Sequence, residues 1–192
     1  MKTSFHSTSP KGFTLIELLV VIAIIAVLAS AGFAIGPAMM NRAKKLSGQA
    51  TAVSIANSIE QFYTEYSALP DTGSNSSDAE FKTDSAALLD ILAGGSEAKS
   101  LEQNPRKIRF LSVKEAKNKM DGAVYTSDKI SAIYDPWGQP FFIVLDYGYN
   151  EQLTVSPQGS TAVTLNGRRV AVYSLGVKPP ATANAKTLVK TW

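Results

Sequence analysis

Apolar and polar positions divide this chain unevenly. From Leu18 to Met40 there is no charged residue, and most positions are apolar. A helix of about 23 residues rises roughly 35 Å, enough to cross a bilayer core of about 30 Å. Gly32, Gly36 and Pro37 interrupt the run. Pro37 lacks an N–H and crowds the preceding turn, so Gly36–Pro37 predicts a kink or, as the alternative, a local melting point where the helix can stretch. Beyond Met40 the pattern becomes amphipathic. Leu46, Ala50, Val53, Ala56, Ile59, Phe62 or Tyr63, and Tyr66 recur every three or four residues, with Asn41, Arg42, Lys44, Lys45, Gln49, Asn57, Glu60 and Gln61 on most other positions. The pattern predicts one helix from about Phe13 to Tyr66, on the order of 80 Å long, whose second half packs this stripe on a sheet. Phe62, Tyr63 and Tyr66 read as core packing. Pro70 biases Leu69 away from the helical region and ends the helix.

The middle of the chain is less periodic. Asp71 to Asp84 is rich in Ser, Gly and Asp and reads as a loop. Asp84 to Leu92 predicts a short helix capped by Asp84 or Ser85 and ended by Gly94-Gly95. Ser96 to Arg106 reads as a polar connection, Ile108 to Val113 as a weak strand, and Ala116 to Gly122 as a turn; Ile130 to Tyr134 leads into the next motif. Asp135-Pro136-Trp137-Gly138 is a tight turn by chemistry, since Pro136 sets one φ and Gly138 permits a positive one. It feeds Phe141 to Asp146, a strong strand, and Tyr147 to Asn150 turns it. Gly159–Leu165 and Arg168–Leu175 predict two more strands, with Asn166-Gly167 as a type I′ hairpin signal between them. The result is an α+β chain with a three- or four-stranded antiparallel sheet packed on the helix.

Composition adds exclusions. Setting the apolar run aside leaves roughly 150 residues of the 192, the size of one domain. The net charge is +3, with Lys and Arg scattered among acids, so no nucleic-acid surface is read. The absence of Cys rules out disulfides, thiolate metal sites and a Cys nucleophile. The one histidine, His6, lies in the N-terminal dozen residues, and no Ser-His-Asp set, zinc ligand set or phosphate loop is present, so the chain is not expected to be an enzyme. Asp71, Asp78, Glu80 and Asp84 do not have the spacing of an EF-hand loop.

Glu17 sharpens the N-terminal segment. By hydropathy alone that segment is a signal peptide or a plain anchor. A carboxylate near the edge of an apolar helix either reaches water or needs a cation. Cleavage between Gly12 and Phe13 would create such a cation, the new α-amino group of Phe13. Lys11-Gly12-Phe13-Thr14-Leu15-Ile16-Glu17 and the apolar run after it resemble the class III prepilin signal of type IV pilins and type II secretion pseudopilins. The resemblance covers about 35 residues. It implies a type IV pilin fold divided into a leader (1–12), a transmembrane or fibre-core helix (13–40) and a periplasmic globular domain (41–192) that includes the amphipathic part of the helix. It further implies cutting by a membrane prepilin peptidase after Gly12, N-methylation of Phe13, and pairing of Glu17 with a neighbour's N-terminus during assembly. Arg42, Lys44 and Lys45 compete with Lys2 and Lys11 as topology signals, so charge alone does not orient the chain; the resemblance places the leader in the cytoplasm and the C-terminal domain outside the inner membrane.

The C-terminal half narrows the resemblance. DPWGQPF, a strand, and then VAVYSLG at Val170 to Gly176 are similar to the major pseudopilin of type II secretion systems, in which an SLG-type segment opens an Asp-rich calcium loop. Here Val177, Lys178, Pro179, Pro180, Ala181 and Thr182 follow, without an acid before Trp192, and Lys178, Lys186 and Lys190 oppose a hard cation. Calcium is therefore not carried over, and no cofactor is expected. The expected function is a structural subunit of a pilus-like fibre, foremost a secretion pseudopilin, alternatively a type IV pilin or minor pilin for adhesion, motility or DNA uptake. Its expected partners are copies of itself in a helical homopolymer, prepilin peptidase, other pseudopilins and an inner-membrane assembly platform. A third class, an anchored periplasmic binding module, has no use for the Gly12-Phe13 junction or Glu17.

Overall fold

The computed structural model describes residues 12–71, 73, 78–84, 86–127, 129–158, 160–177 and 187–192, without the side chains of 31–35 and 86. Residues 1–11, most of the expected leader, the expected cap Ser85 and residues 178–186 lie outside them. The chain divides into two units, Met1–Met40 and Asn41–Trp192. Helix α1, Leu15–Tyr66, contributes to both and keeps its helical assignment through Gly36 and Pro37.

In the first unit α1 is apolar on every face. Leu15, Ile16, Leu18, Leu19, Val20, Val21, Ile22, Ile24, Ile25, Val27 and Leu28 are all exposed. Among the described residues no helix is long and apolar enough to cross a membrane.

In the second unit α1 buries the predicted apolar stripe toward its C-terminal end but a different face toward its N-terminal end. Gly48, Thr51, Ala52, Ile55, Ser58, Ile59 and Phe62 are buried, whereas Leu46 is 59% and Val53 45% exposed, and Ala50 is exposed. The two stripes share Ile59 and Phe62, with Ala56, Tyr63 and Tyr66 half-buried against the same core, and diverge at Leu46, Ala50 and Val53. The reason is close approach. A Cβ on Gly48 would lie 3.0 Å from Val189 and 3.2 Å from Pro136, so the helix backbone itself rests on the sheet there. A pattern that ranks residues by hydropathy prefers Leu46 to Gly48; packing distance reverses the order. At the other end Arg169 covers the ring of Tyr63 at 4.5 Å and pairs with Glu60 and Glu151.

The main sheet pairs β1 (Asp78–Lys82), β4 (Phe142–Asp146), β7 (Val170–Ser174) and β8 (Val189–Lys190), in that order and antiparallel throughout. Strands β4 and β7 are apolar at nearly every position because both faces are covered. Ile143, Leu145, Val170 and Val172 join the core with Ile55, Ile59 and Phe62 of α1. Val144, Ala171 and Tyr173 join a second core with Leu153, Val155 and Leu175. Opposite Tyr173 in the register, Phe142 stacks on it at 4.8 Å between centroids. Two-stranded ribbons form from β2 (Gly122–Thr126) with β3 (Lys129–Tyr134), and from β5 (Gln152–Val155) with β6 (Val163–Asn166).

This topology overturns the Asn166-Gly167 hairpin. Strand β6 turns back on β5, pairing Leu165 with Leu153, and β7 leaves for the main sheet. Strand β7 is buried at all five positions and β6 at none. A strand covered on both faces belongs between two neighbours, which β4 and β8 supply. Gly167, at φ +68, turns the chain from ribbon to sheet, with its N–H on the Glu151 carbonyl at 2.7 Å. The stretch 108–113 is likewise no strand: the N–H groups of Phe110 and Leu111 both donate to the Leu92 carbonyl, capping α2 (Ala86–Leu92) instead of joining a ladder. Strand β1 lies in the expected loop 71–84, and α3 (Ala98–Gln103) in the expected polar connection. Both were hidden by polar composition.

The shifted stripe makes a direct contrast. Ile55→Ala should cost the head about 3 kcal/mol, while Val53→Ala should stay within about 0.5 kcal/mol. Urea unfolding of the detergent-solubilised chain, followed by Trp fluorescence, measures both.

Candidate functional site

The N-terminal site begins with Gly12 and Phe13, ahead of α1 in non-helical backbone; Phe13 is 80% exposed. Four N–H groups at the start of any helix lack intrahelical partners. Here Thr14 and Glu17 satisfy two reciprocally. The Glu17 N–H donates to the Thr14 hydroxyl oxygen at 3.2 Å, and the Thr14 N–H donates to Glu17 Oε2 at 2.8 Å. The Thr14 hydroxyl also donates to Oε2, at 2.7 Å. This is a capping box, with its carboxylate where the helix dipole favours negative charge. Thr14 is the residue that sequence reasoning missed, although Thr-x-x-Glu before an apolar run is its signal. Gly12, Phe13 and Glu17 are thus within a few residues at one helix end, while Gly36 and Pro37 lie within α1.

In the second unit, Asp135 builds its turn around a buried carboxylate. Its backbone carbonyl accepts from Gly138 N–H at 3.0 Å, and its N–H donates to the Gln139 carbonyl at 2.8 Å. Oδ1 accepts from the N–H groups of Trp137 and Gln139, both at 2.8 Å. Oδ2 accepts from the Ser174 hydroxyl. Gly138 has φ +79, the conformation expected of it. Pro136 touches α1 at Gly48, and Trp137 packs partly buried against the main core. Ser174 also accepts from Gly176 N–H at 3.2 Å. The DPWG and SLG segments, noted separately in the sequence, therefore meet through one side chain. Burial raises the Asp135 carboxyl pKa, outweighing these hydrogen bonds, which act to lower it.

Among the described residues no three His, Cys, Asp or Glu side chains gather as a metal ligand set. Residues 178–186, within the stretch where a resemblance to the major pseudopilin would put a calcium loop, lie outside them.

Residues 8–33 match the family model for the prokaryotic N-terminal methylation motif. That match and the site's placement at the start of α1 support a type IV pilin-like prepilin, the membrane-anchored class that this motif marks. The α+β architecture with small antiparallel sheets is compatible with a pilin fold. No curated protein and no solved structure matches the chain.

The buried carboxylate yields a signed pH prediction. Asp135→Ala should cost about 3 kcal/mol or more by orphaning buried donors, and Asp135→Asn much less, because its amide oxygen can still accept. The folded pKa lies above the unfolded value of about 3.9, so ionised Asp135 destabilises at neutral pH and is relieved as pH falls through the folded pKa. Wild type should therefore gain stability relative to Asp135→Asn between pH 7 and pH 4. Paired urea titrations test this, and a gap that stays flat with pH would contradict it.

Proposed function

We propose that the chain is a structural subunit of a pilus-like fibre, foremost a type II secretion pseudopilin whose fibre pushes folded proteins outward. The methylation motif at residues 8–33 is the observation that carries this reading. In it, prepilin peptidase on the inner membrane cuts between Gly12 and Phe13 and methylates Phe13. The exposed, non-helical Gly12–Phe13 junction suits an extended substrate. The cut leaves the Thr14–Glu17 capping box untouched, since both residues lie beyond it. Oε2 takes both hydrogen bonds donated by Thr14, which leaves Oε1 for the Phe13 amine of a neighbouring copy. Burying the exposed apolar surface of α1 between copies would drive polymerisation on the assembly platform, with other pseudopilins as companions.

The link between Asp135 and Ser174 supports the pseudopilin over the pilin or minor pilin, because it joins the two segments that resemble that class. The head is proposed to be periplasmic, to carry no catalytic site and to need no metal.

Two experiments test this reading. Mass spectrometry of the mature N-terminus should find N-methyl-Phe13, whereas an intact Met1 or a cut near Ala31 overturns the prepilin role. Glu17→Ala should leave membrane insertion intact and reduce fibre assembly; unchanged assembly removes the role given to Glu17. For the metal, saturating chelator should leave the thermal midpoint of the purified chain within about 1 °C of its value in calcium, since no bound ion would be lost. A larger fall identifies a bound cation.

A further inference from the structure

The head begins at Asn41, directly after the apolar run, and α1 there carries Arg42, Lys44 and Lys45 with no acid before Glu60. A second basic segment, Lys114 to Asp121, is brought to the same end. The chain leading to it runs down α1. Phe110 packs on the rings of Phe62 and Tyr66. Ser112 and Val113 share a groove with Ala50, Thr51 and Ser54. The Lys114 ammonium then donates to the Ser47 hydroxyl oxygen at 3.4 Å. Asp121 returns to the same level, where its Oδ1 accepts from the Ser47 hydroxyl at 2.6 Å and its Oδ2 pairs with Lys114. The hairpin between them therefore lies at the Asn41 end of the head.

Its tip is a two-residue turn. The Lys117 N–H donates to the Met120 carbonyl at 3.1 Å, and the Met120 N–H to the Lys117 carbonyl at 3.0 Å. Asn118 and Lys119 have φ of +53 and +57, the positive pair that a type I′ turn requires. Glycine is the favoured second residue of that turn, so a lysine there accepts an unfavourable backbone and sets an ammonium at the tip. A Cβ on Gly138 would lie 3.4 Å from the Lys119 carbonyl oxygen and 3.5 Å from Met120 Cγ, so the hairpin rests on the DPWG turn. Arg42, Lys117 and Lys119 are exposed, and among the described residues none of the three forms an ion pair. With Lys44, Lys45 and Lys114 they make six cations against two acids, Glu115 and Asp121, and Asp121 is taken by Lys114.

We propose that the Asn41 end of the head is an electrostatic docking surface for an anionic lipid membrane, with Lys117 and Lys119 at the hairpin tip and Arg42 with its neighbours on α1 meeting the headgroup phosphates. One exposed ammonium attracts a phosphate weakly, because salt screens it within about 10 Å. Several on one surface act together once an anchor confines them to the bilayer. The proposal rests on the membrane-anchored reading. It also gives a use to Arg42, Lys44 and Lys45, which as topology signals weigh against export of the head.

The chain has no Cys, so Asn118→Cys carries a single nitroxide label. The labelled full-length chain is reconstituted in vesicles of phosphatidylcholine alone or of equal parts phosphatidylcholine and phosphatidylglycerol. Collision of the label with a neutral, water-soluble nickel chelate should fall at least about twofold in the anionic vesicles, and should recover near ~1 M NaCl, where the screening length is ~3 Å. Lys117→Gln combined with Lys119→Gln should remove the difference between the lipids, and Arg42→Gln, which leaves the label's own turn intact, should reduce it. A Ser30→Cys label reports the anchor and should be shielded from the chelate in both lipids. Exposure of that label overturns the anchored reading and this proposal with it. With the Ser30→Cys label shielded, three results overturn this proposal alone. The Asn118→Cys label may be equally accessible in both lipids, whether open to water or covered by a second copy. Its shielding may be lost in millimolar inorganic phosphate at constant ionic strength, which marks a free-ion site. Or the lipid difference may survive both the Lys→Gln pair and Arg42→Gln.

Discussion

The head is organised by one buried carboxylate. Asp135 is fully buried, and an ionised carboxylate in such a place is strongly unfavourable unless donors surround it. Its donors come from the turn that follows it and from Ser174 at the end of β7. Satisfying it therefore folds the DPWG turn and docks the last residue of a central strand at once. The turn so shaped places Pro136 against the Cα of Gly48, which fixes which face of α1 meets the sheet. A local hydrogen-bonding requirement thus becomes a helix-packing constraint. The sheet depends on it in turn: β7 is apolar on both faces, and only with α1 seated on one side and Leu153 and Val155 on the other are its side chains dry.

Much of this was legible in the sequence where the signal is local. The long helix follows from its periodicity and Pro70, the turn at Asp135 from Pro and Gly chemistry, and β4 from its run of apolar residues. The failures are non-local. Asn166-Gly167 is a sound hairpin signal, yet the partner of β6 was decided by burial on β7, which a two-residue motif does not encode. The α1 stripe went wrong because Gly48 contributes by what it lacks, and hydropathy gives such a residue no weight. Strand β1 is short, and Glu80 and Lys82 hide the inward Ala79 and half-buried Phe81. At the N-terminus Glu17 stands out as a charge beside an apolar run, whereas Thr14 carries no charge and its role lies in the unpaired N–H groups of the helix start, which hydropathy does not register.

Under the fibre reading, Glu17 would meet different requirements before and after cleavage at Gly12–Phe13. In the unprocessed chain it compensates the helix start through Thr14, and no second charge is needed. Cleavage would add an α-amino group at Phe13, with a pKa near 8 and hence mostly protonated at neutral pH. A cation at a helix N-terminus opposes the macrodipole, so processing would convert a satisfied helix end into one with an excess positive charge. In water that excess is screened and matters little. Inside a fibre of apolar helices it would not be screened, and an amine left without a carboxylate would cost several kcal/mol. Under the fibre reading, axial register is then set less by the strength of the Glu17 pair than by the penalty on every arrangement in which a Phe13 amine misses it. The capping box keeps the carboxylate ordered at the helix end: under that reading, the acid that a neighbour's amine would have to find is already held by Thr14, and little side-chain freedom would be lost when the two meet.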